Sequence, residues 1–465
     1  MTARNLETDY LVIGSGAAGM AFTDALIQES DARVVMVDRR ATPGGHWNDA
    51  YPFVRLHQPS FYYGVNSLPL GDSVETAGPE AGQYERVSGA AIRAYYERVL
   101  TTRLLPSNRV EFFGQVDHVG DGRIVSRLTG ETREIKVRRK IVDARWLSPN
   151  IPLTTPPPFE IGSGVSVRPV NQLVNVATRP ERFVVIGAGK TASDACVWLL
   201  QNGVRPEAIQ WIKPRESWFV NRAFCQPGER VVSMLEGLVH QMESAAAATS
   251  IDDLFDRLES TAQLLRVDPR VQPQMFKGST ISEWEIALLR QIEDVVRLGH
   301  VRRIERDHIE LDGGTIPTGP NHLHIHCAVD GLPHPPAKPI FEGDRITLQA
   351  IRIGLVPFNA AVVGFLEARR EDDAEKNRLC PPNPFPNTAL DWIRGTLIQM
   401  QADRLWTKEA DLNEWLGRSR LNPTRDLRLH FGDPTAQALM TRFMQCVRPG
   451  VARLAALLQE AEAQG

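Results

Sequence analysis

Three observations predict an α/β protein built from two Rossmann-like dinucleotide-binding domains, the second nested in the first, with a helical insertion and a helical C-terminal region. Asp9 to Gly19, DYLVIGSGAAG, is an apolar run that breaks into glycines at Gly14, Gly16 and Gly19. Phe183 to Ala192, FVVIGAGKTA, repeats the pattern with Gly187, Gly189 and Ala192. Between them Pro149 to Pro158 is too proline-rich to pair as strand or coil as helix, and so marks a boundary.

In the first unit Tyr10 to Ile13 reads as a strand, Met20 to Gln28 as a helix, and Arg33 to Val37 as a second strand ending in Asp38. Each glycine has its own task. Gly14 makes the tight turn, Gly16 lets a pyrophosphate approach backbone, and Gly19 lets helix pack on strand. Asp38, with Arg39 beside it, stands where a ribose-binding acid belongs, about 20 residues on. A few residues later Pro43 to Trp47, PGGHW, supplies a second glycine pair ending in Gly45, His46 and Trp47. That pair suits a cofactor whose far half slides past backbone into the protein centre, and FAD is the natural candidate.

GSGAAG, Asp38 and GGHW in series resemble the FAD site of the flavin-containing monooxygenase family, the class B flavoprotein monooxygenases, in which a GGxW follows the first fingerprint. The resemblance implies FAD and supplies no substrate. It also implies that Val116 lies where backbone meets adenine, and that Gln58, in LHQPS, takes the place of an asparagine that steadies a flavin peroxide. His57 is a weaker candidate for contact with the cofactor. One departure is plain: the family's FxGxxxH fingerprint belongs near Val165 to Ala177, where the text is VSVRPVNQLVNVA. The chain is therefore expected to sit in a divergent branch.

Composition narrows the class. At 465 residues, 42% apolar and 23% charged, the chain is long enough for two or three packed domains. A net charge of −3 gives no reason to expect nucleic acid or an anionic membrane as partner. The five cysteines are scattered without a CxxC pair, which argues against a redox disulfide or a thiolate zinc site. The start lacks the apolar core of a signal peptide, and no stretch approaches a membrane span, so the expectation is cytoplasmic.

Further along, Tyr51 to Ser67 is an irregular aromatic segment that must cross the sheet's carboxyl edge. Ser88 caps a helix running to Leu105, and the segments from Val110 to Val142 read as strands. After the second fingerprint, Ala208 to Ile212 ends not in an acid but in Lys213 and Arg215, which favour a 2′-phosphate and hence NADPH over NADH. Lys190 and Thr191, in a turn too short for a P-loop, are placed to touch phosphate. The stretch Arg215 to Arg222, RESWFVNR, resembles the corresponding segment of the flavin monooxygenases, which singles out Arg215, Trp218 and, as a catalytic candidate, Arg222.

Arg230 to Leu298 reads as almost wholly helical, with a capping box at Thr280 and Glu283, and either walls a substrate pocket or forms a homodimer surface. His322, His324 and His326 share one strand face, but over some 13 Å such side chains diverge, so the strand is read as structural, returning the chain to the first sheet, with no metal. Cys196 and Cys225 read as small buried residues. The expected division is 1–160 for the first part of the FAD domain, 161–335 for the NADPH domain with its insertion at about 230–298, 336–370 for the return segment, and 371–465 for the helical region. The function expected is an FAD- and NADPH-dependent monooxygenase that passes one oxygen of a C4a-hydroperoxyflavin to a nucleophilic nitrogen or sulfur, or a carbonyl, of a small organic substrate, with molecular oxygen as co-substrate. The rivals are a reductase or dehydrogenase without oxygen insertion, and a non-catalytic nucleotide-binding redox sensor.

Overall fold

A computed structural model describes residues 6–463. β1 (Leu6–Ile13) runs into α1 (Ala17–Glu29) and returns as β2 (Val34–Val37), parallel to β1 with Tyr10 opposite Val34. β3 (Val110–Phe113) extends the sheet beyond β2, while β4 (Thr132–Asp143) lies on the other side of β1. Past the proline-rich crossing, β5 (Arg182–Ile186), α2 (Lys190–Gln201) and β6 (Ile209–Ile212) repeat the unit. α3 (Glu283–Leu289) precedes β7 (His322–His326), which pairs with β5 on the side away from β6. β8 (Arg345–Thr347) then rejoins the first sheet against β4, and α4 (Val356–Arg369) packs on α1.

Both sheets therefore reverse their strand order at the strand that carries a glycine turn. β1 has β2 on one flank and β4 on the other, and β5 has β6 on one flank and β7 on the other. The crevice beyond the carboxyl end of such a strand is where open parallel sheets bind ligands. The local sequence explains the layering. Val34–Val37 is buried at all four positions, as a parallel strand covered on both faces requires. α1 is buried nearly all round because α4 covers it, and Gly364 makes that approach possible: a Cβ there would lie 2.7 Å from the Phe22 carbonyl oxygen.

Several elements differ from the sequence reading. Residues 230–298 hold helices Val231–Ala247 and Ile251–Ser260, but then a strand, Met275–Ile281, paired with Ser217–Asn221, and a short strand, Val295–Val296, at the edge of the second sheet. The capping box is formed by Ser282 and Glu285, two residues later than expected, because Thr280 and Ile281 are held in strand pairing opposite Val220 and Asn221. The histidine strand β7 belongs to the second sheet, and β8 makes the return to the first. Where the FxGxxxH fingerprint is missing, Val167–Pro169 pairs with β7. The helix after Ser88 starts as expected, at Gly89, with the Ser88 hydroxyl accepting from the Ala91 N–H at 3.3 Å. Helices at Asp373–Leu379, Ala389–Trp406, Ala410–Arg418 and Pro434–Glu462 close the chain, and among the described residues no helix is long and apolar enough to cross a membrane.

Candidate functional site

The first glycine turn is braced from two sides. Gly14 adopts φ +105°, and a Cβ at Gly19 would lie 2.0 Å from the Gly14 carbonyl oxygen, so only glycine lets α1 close on β1. Asp38, buried at the end of β2, accepts through Oδ2 from the Ser15 N–H at 2.7 Å and hydroxyl at 2.8 Å, and through Oδ1 from the Arg40 N–H at 2.8 Å. Across the turn the Gly44 N–H donates to the Ser15 carbonyl at 2.9 Å, and a Cβ at Gly45 would stand 2.8 Å from the Gly16 Cα. Backbone faces backbone there, with no side chain between. Trp47 is buried with its indole N–H donating to the Tyr63 hydroxyl at 2.9 Å, and burial, with Arg40 nearby, holds the His46 imidazole down at about 4 and so neutral at pH 7. The Val116 N–H donates to the Asp38 carbonyl at 3.0 Å, joining that strand to the same corner, while Arg39 is exposed.

The second turn is bare. Gly187 is tight, at φ +143° with a Cβ position 3.0 Å from the Cys327 carbonyl oxygen, but a Cβ at Gly189 meets no described atom within 4 Å. α2 begins at Lys190, with Thr191 half-buried and Ala192 buried against the sheet. Two cations expected on a bound nucleotide face elsewhere. Lys190 turns inward to Asp194 and to Glu285 at 3.1 Å. Lys213 is buried against Glu216 and over the Trp211 ring at 4.4 Å, where burial lowers its pKa. Arg215 is exposed and has no side-chain partner among the described residues.

A buried knot of charge links the two units. Arg222, fully buried, donates to the His57 carbonyl at 2.9 Å, to Glu80, and to Glu285 at 2.7 Å. Glu80 also binds Arg86 at 2.7 Å, and Glu285 accepts from the Ser282 N–H at 2.9 Å. Burial alone would raise the Glu285 carboxyl, but Lys190, Arg222 and Arg86 hold it far below the usual carboxylate range. Asp194 is likewise held low by Lys190 and His57 against its burial, and accepts from the Tyr51 hydroxyl at 2.5 Å. Arg222, expected as a catalytic candidate, has its guanidinium paired within this knot; it and the Thr280 hydroxyl both donate to the carbonyl of His57, the residue before Gln58. The Gln58 amide nitrogen is buried without a partner among the described residues. His57 Nε2 stands 3.4 Å from Asp194 outside hydrogen-bond geometry, and burial lowers its pKa despite that neighbour.

The sequence reading missed Asp194, Glu285, Glu80 and Arg86. Asp194 follows Lys190 at helical i,i+4 spacing, a signal that was there to use, whereas Glu285 and Glu80 come from remote segments. His324 is spent on Thr318 and the Ser166 carbonyl and His326 on the Thr155 carbonyl; among the described residues no three His, Cys, Asp or Glu side chains converge as a metal site.

Residues 12–73 match the family described as NAD(P)-binding Rossmann-like domain. Over 427 residues, 91% of this chain and 79% of the relative, the sequence is 48% identical to the uncharacterized protein Rv2000 of Mycobacterium tuberculosis, and equally to the uncharacterized protein Mb2023 of Mycobacterium bovis. The chain belongs to the family of these mycobacterial proteins. Among solved structures it is similar to a polycyclic ketone monooxygenase from Thermothelomyces thermophila, at 12% identity and TM-score 0.49 over 100% of this chain and 89% of that one. It is also similar to a flavin-containing monooxygenase from Stenotrophomonas maltophilia, at 15% and 0.42 over 76% and 88%, and to a bacillithiol disulfide reductase from Bacillus cereus, at 14% and 0.46 over 78% and 100%. At these identities and TM-scores none of them decides the chemistry.

Proposed function

We propose that the chain is a flavin- and nicotinamide-dependent oxidoreductase of the monooxygenase type, with FAD on the turn from Gly14 to Gly19 and NADPH on the turn from Gly187 to Ala192. Its substrate is a small organic molecule with a nucleophilic nitrogen or sulfur, or a carbonyl, and its second substrate is molecular oxygen. The observation that carries the reading is that both glycine turns stand at switch points of parallel sheets, with a loop of the first unit, residues 51–58, tied to the second through Arg222 and Asp194.

The residues fit the two groups. Gly45 packs on Gly16 so closely that a Cβ at Gly45 would strike the Gly16 Cα, which leaves bare backbone for a pyrophosphate to approach, and the Asp38 carboxylate, accepting three bonds, keeps one lone-pair site for a ribose hydroxyl. Gly189 leaves its face open to a pyrophosphate, and Arg215 is free to meet a 2′-phosphate. Bound flavin supplies hydride acceptance from NADPH and oxygen activation. The chain's own part is to hold, orient and dry the site. Gln58 offers a buried amide donor with no acceptor among the described residues, the kind of group that steadies charge developing on an oxygen. Asp194 and Glu285, both kept ionised, fix Lys190 and Arg222, and through Arg222 the loop bearing Gln58.

The test is turnover of a thioether probe, thioanisole, with NADPH under ¹⁸O₂. Label in the sulfoxide is the expected result. NADPH consumption with all electrons recovered as hydrogen peroxide and no label in organic product contradicts oxygen insertion and leaves the reductase.

A further inference from the structure

A cavity of about 390 Å³ opens between α2, α3 and the loop of residues 53–86, within the range of small-molecule sites. Asp194, Val197, Trp198 and Gln201, spaced along one face of α2, form one side. Its flat walls are Phe53, stacked on Trp198 with centroids 4.9 Å apart, and Trp284. Its floor is the outer surface of the buried knot, where Glu80, Asp194 and Glu285 are matched by Arg86, Lys190 and Arg222. Glu80, Asp194, Glu285 and Arg86 line the cavity, while Lys190 and Arg222 stand behind them and bring the formal charge of the knot to zero. Two further charged residues line it, Arg55 and Glu75, and neither side chain has an ion pair or hydrogen bond among the described residues.

We infer that this cavity binds a zwitterion with a flat apolar body, in size and charge an aromatic α-amino acid. The ring lies between the aromatic walls, the carboxylate meets Arg55 and the ammonium meets Glu75. A floor of zero formal charge gives no preference to a ligand of net charge, while the two unmatched lining groups ask for one charge of each sign. Aromatic walls add stacking to the ring and cation–π attraction to the ammonium. The inference rests on the proposed function only in calling this occupant the substrate; Asp194 is shared by the cavity wall and the loop that carries Gln58.

Calorimetric titration of the full-length oxidised protein tests it with three probes: L-phenylalanine, phenethylamine, which lacks the carboxylate, and 3-phenylpropanoate, which lacks the ammonium. L-Phenylalanine is expected to bind at least ~5-fold more tightly than either, the worth of about 1 kcal/mol per partly screened charge. Arg55→Ala removes its advantage over phenethylamine and keeps that over 3-phenylpropanoate. Glu75→Gln does the reverse, and Trp198→Ala weakens all three. Equal affinities, no saturable binding of L-phenylalanine, or its release by NADP⁺ would overturn the assignment, the last by giving the cavity to the nicotinamide. Flavin absorbance is read on the same samples. Colourless protein that binds L-phenylalanine defeats the flavin reading alone, and yellow protein that ignores all three probes defeats the cavity assignment alone.

Discussion

The two glycine turns share a sequence pattern and a place in their sheets but differ in what surrounds them. The first is enclosed: Gly45 packs on Gly16, Gly44 bonds to Ser15, and Asp38 clasps the turn from below. The second is open at Gly189, its two nearby lysines are turned away into ion pairs, and Arg215 faces solvent. A closed cradle suits a resident group that stays through many turnovers, and an open one suits a nucleotide that must come and go. The charge knot at Arg222 joins the two, so damage there should be felt by the whole fold, whereas damage at the open turn should touch binding alone.

That contrast breaks most visibly at Arg222. Arg222→Ala leaves Glu285 and Glu80 buried without their guanidinium and is expected to cost ~3–5 kcal/mol in urea unfolding; a loss below 1 kcal/mol would show the knot to be dispensable. Next comes the glycine pair. Gly45→Ala forces a Cβ onto Gly16 and is expected to cost ~1–3 kcal/mol and to lower the flavin retained per chain, while Gly189→Ala stays within ~0.5 kcal/mol by thermal unfolding. Equal losses at both sites would erase the distinction between cradle and open turn.

Acid probes the knot more gently. Asp194 and Glu285 are held below their ordinary values in the folded chain, so they stabilise it fully above about pH 5, and that contribution drains away as pH falls below their unfolded values near ~4. Glu285→Gln should therefore flatten the acid limb of a stability–pH curve, and an unchanged slope would remove Glu285 from the account. The smallest effect belongs to the open turn: Arg215→Ala is expected to raise KM for NADPH about 10-fold with kcat and NADH kinetics unmoved, the value of one phosphate contact. An equal rise for NADH would mean that Arg215 does not read the 2′-phosphate.

Much of this frame was legible in the residues. The glycine turns, the valine strand and Asp38 are local patterns, and the Ser88 cap declared itself in the text. The strand Met275–Ile281 did not, because its support is pairing with Ser217–Asn221, some sixty residues away, and no alternation within the segment reveals it. The two overlapping cap patterns at Thr280 and Ser282 are equivalent in sequence, and only that strand pairing selects the later one. The ion partners of the cations were only partly legible. Lys213 has its acid three residues on and Lys190 four residues on, within reach of a sequence argument, but Arg222 draws its partners from Glu80 and Glu285, which only the fold brings together.

The central claim is that the two turns hold a flavin and a nicotinamide nucleotide close enough for electrons to cross. Anaerobic mixing of the purified, FAD-supplemented protein with NADPH tests it directly. The account predicts yellow protein whose colour bleaches within turnover time. Protein that stays colourless with FAD, or keeps its yellow colour under NADPH, would contradict it.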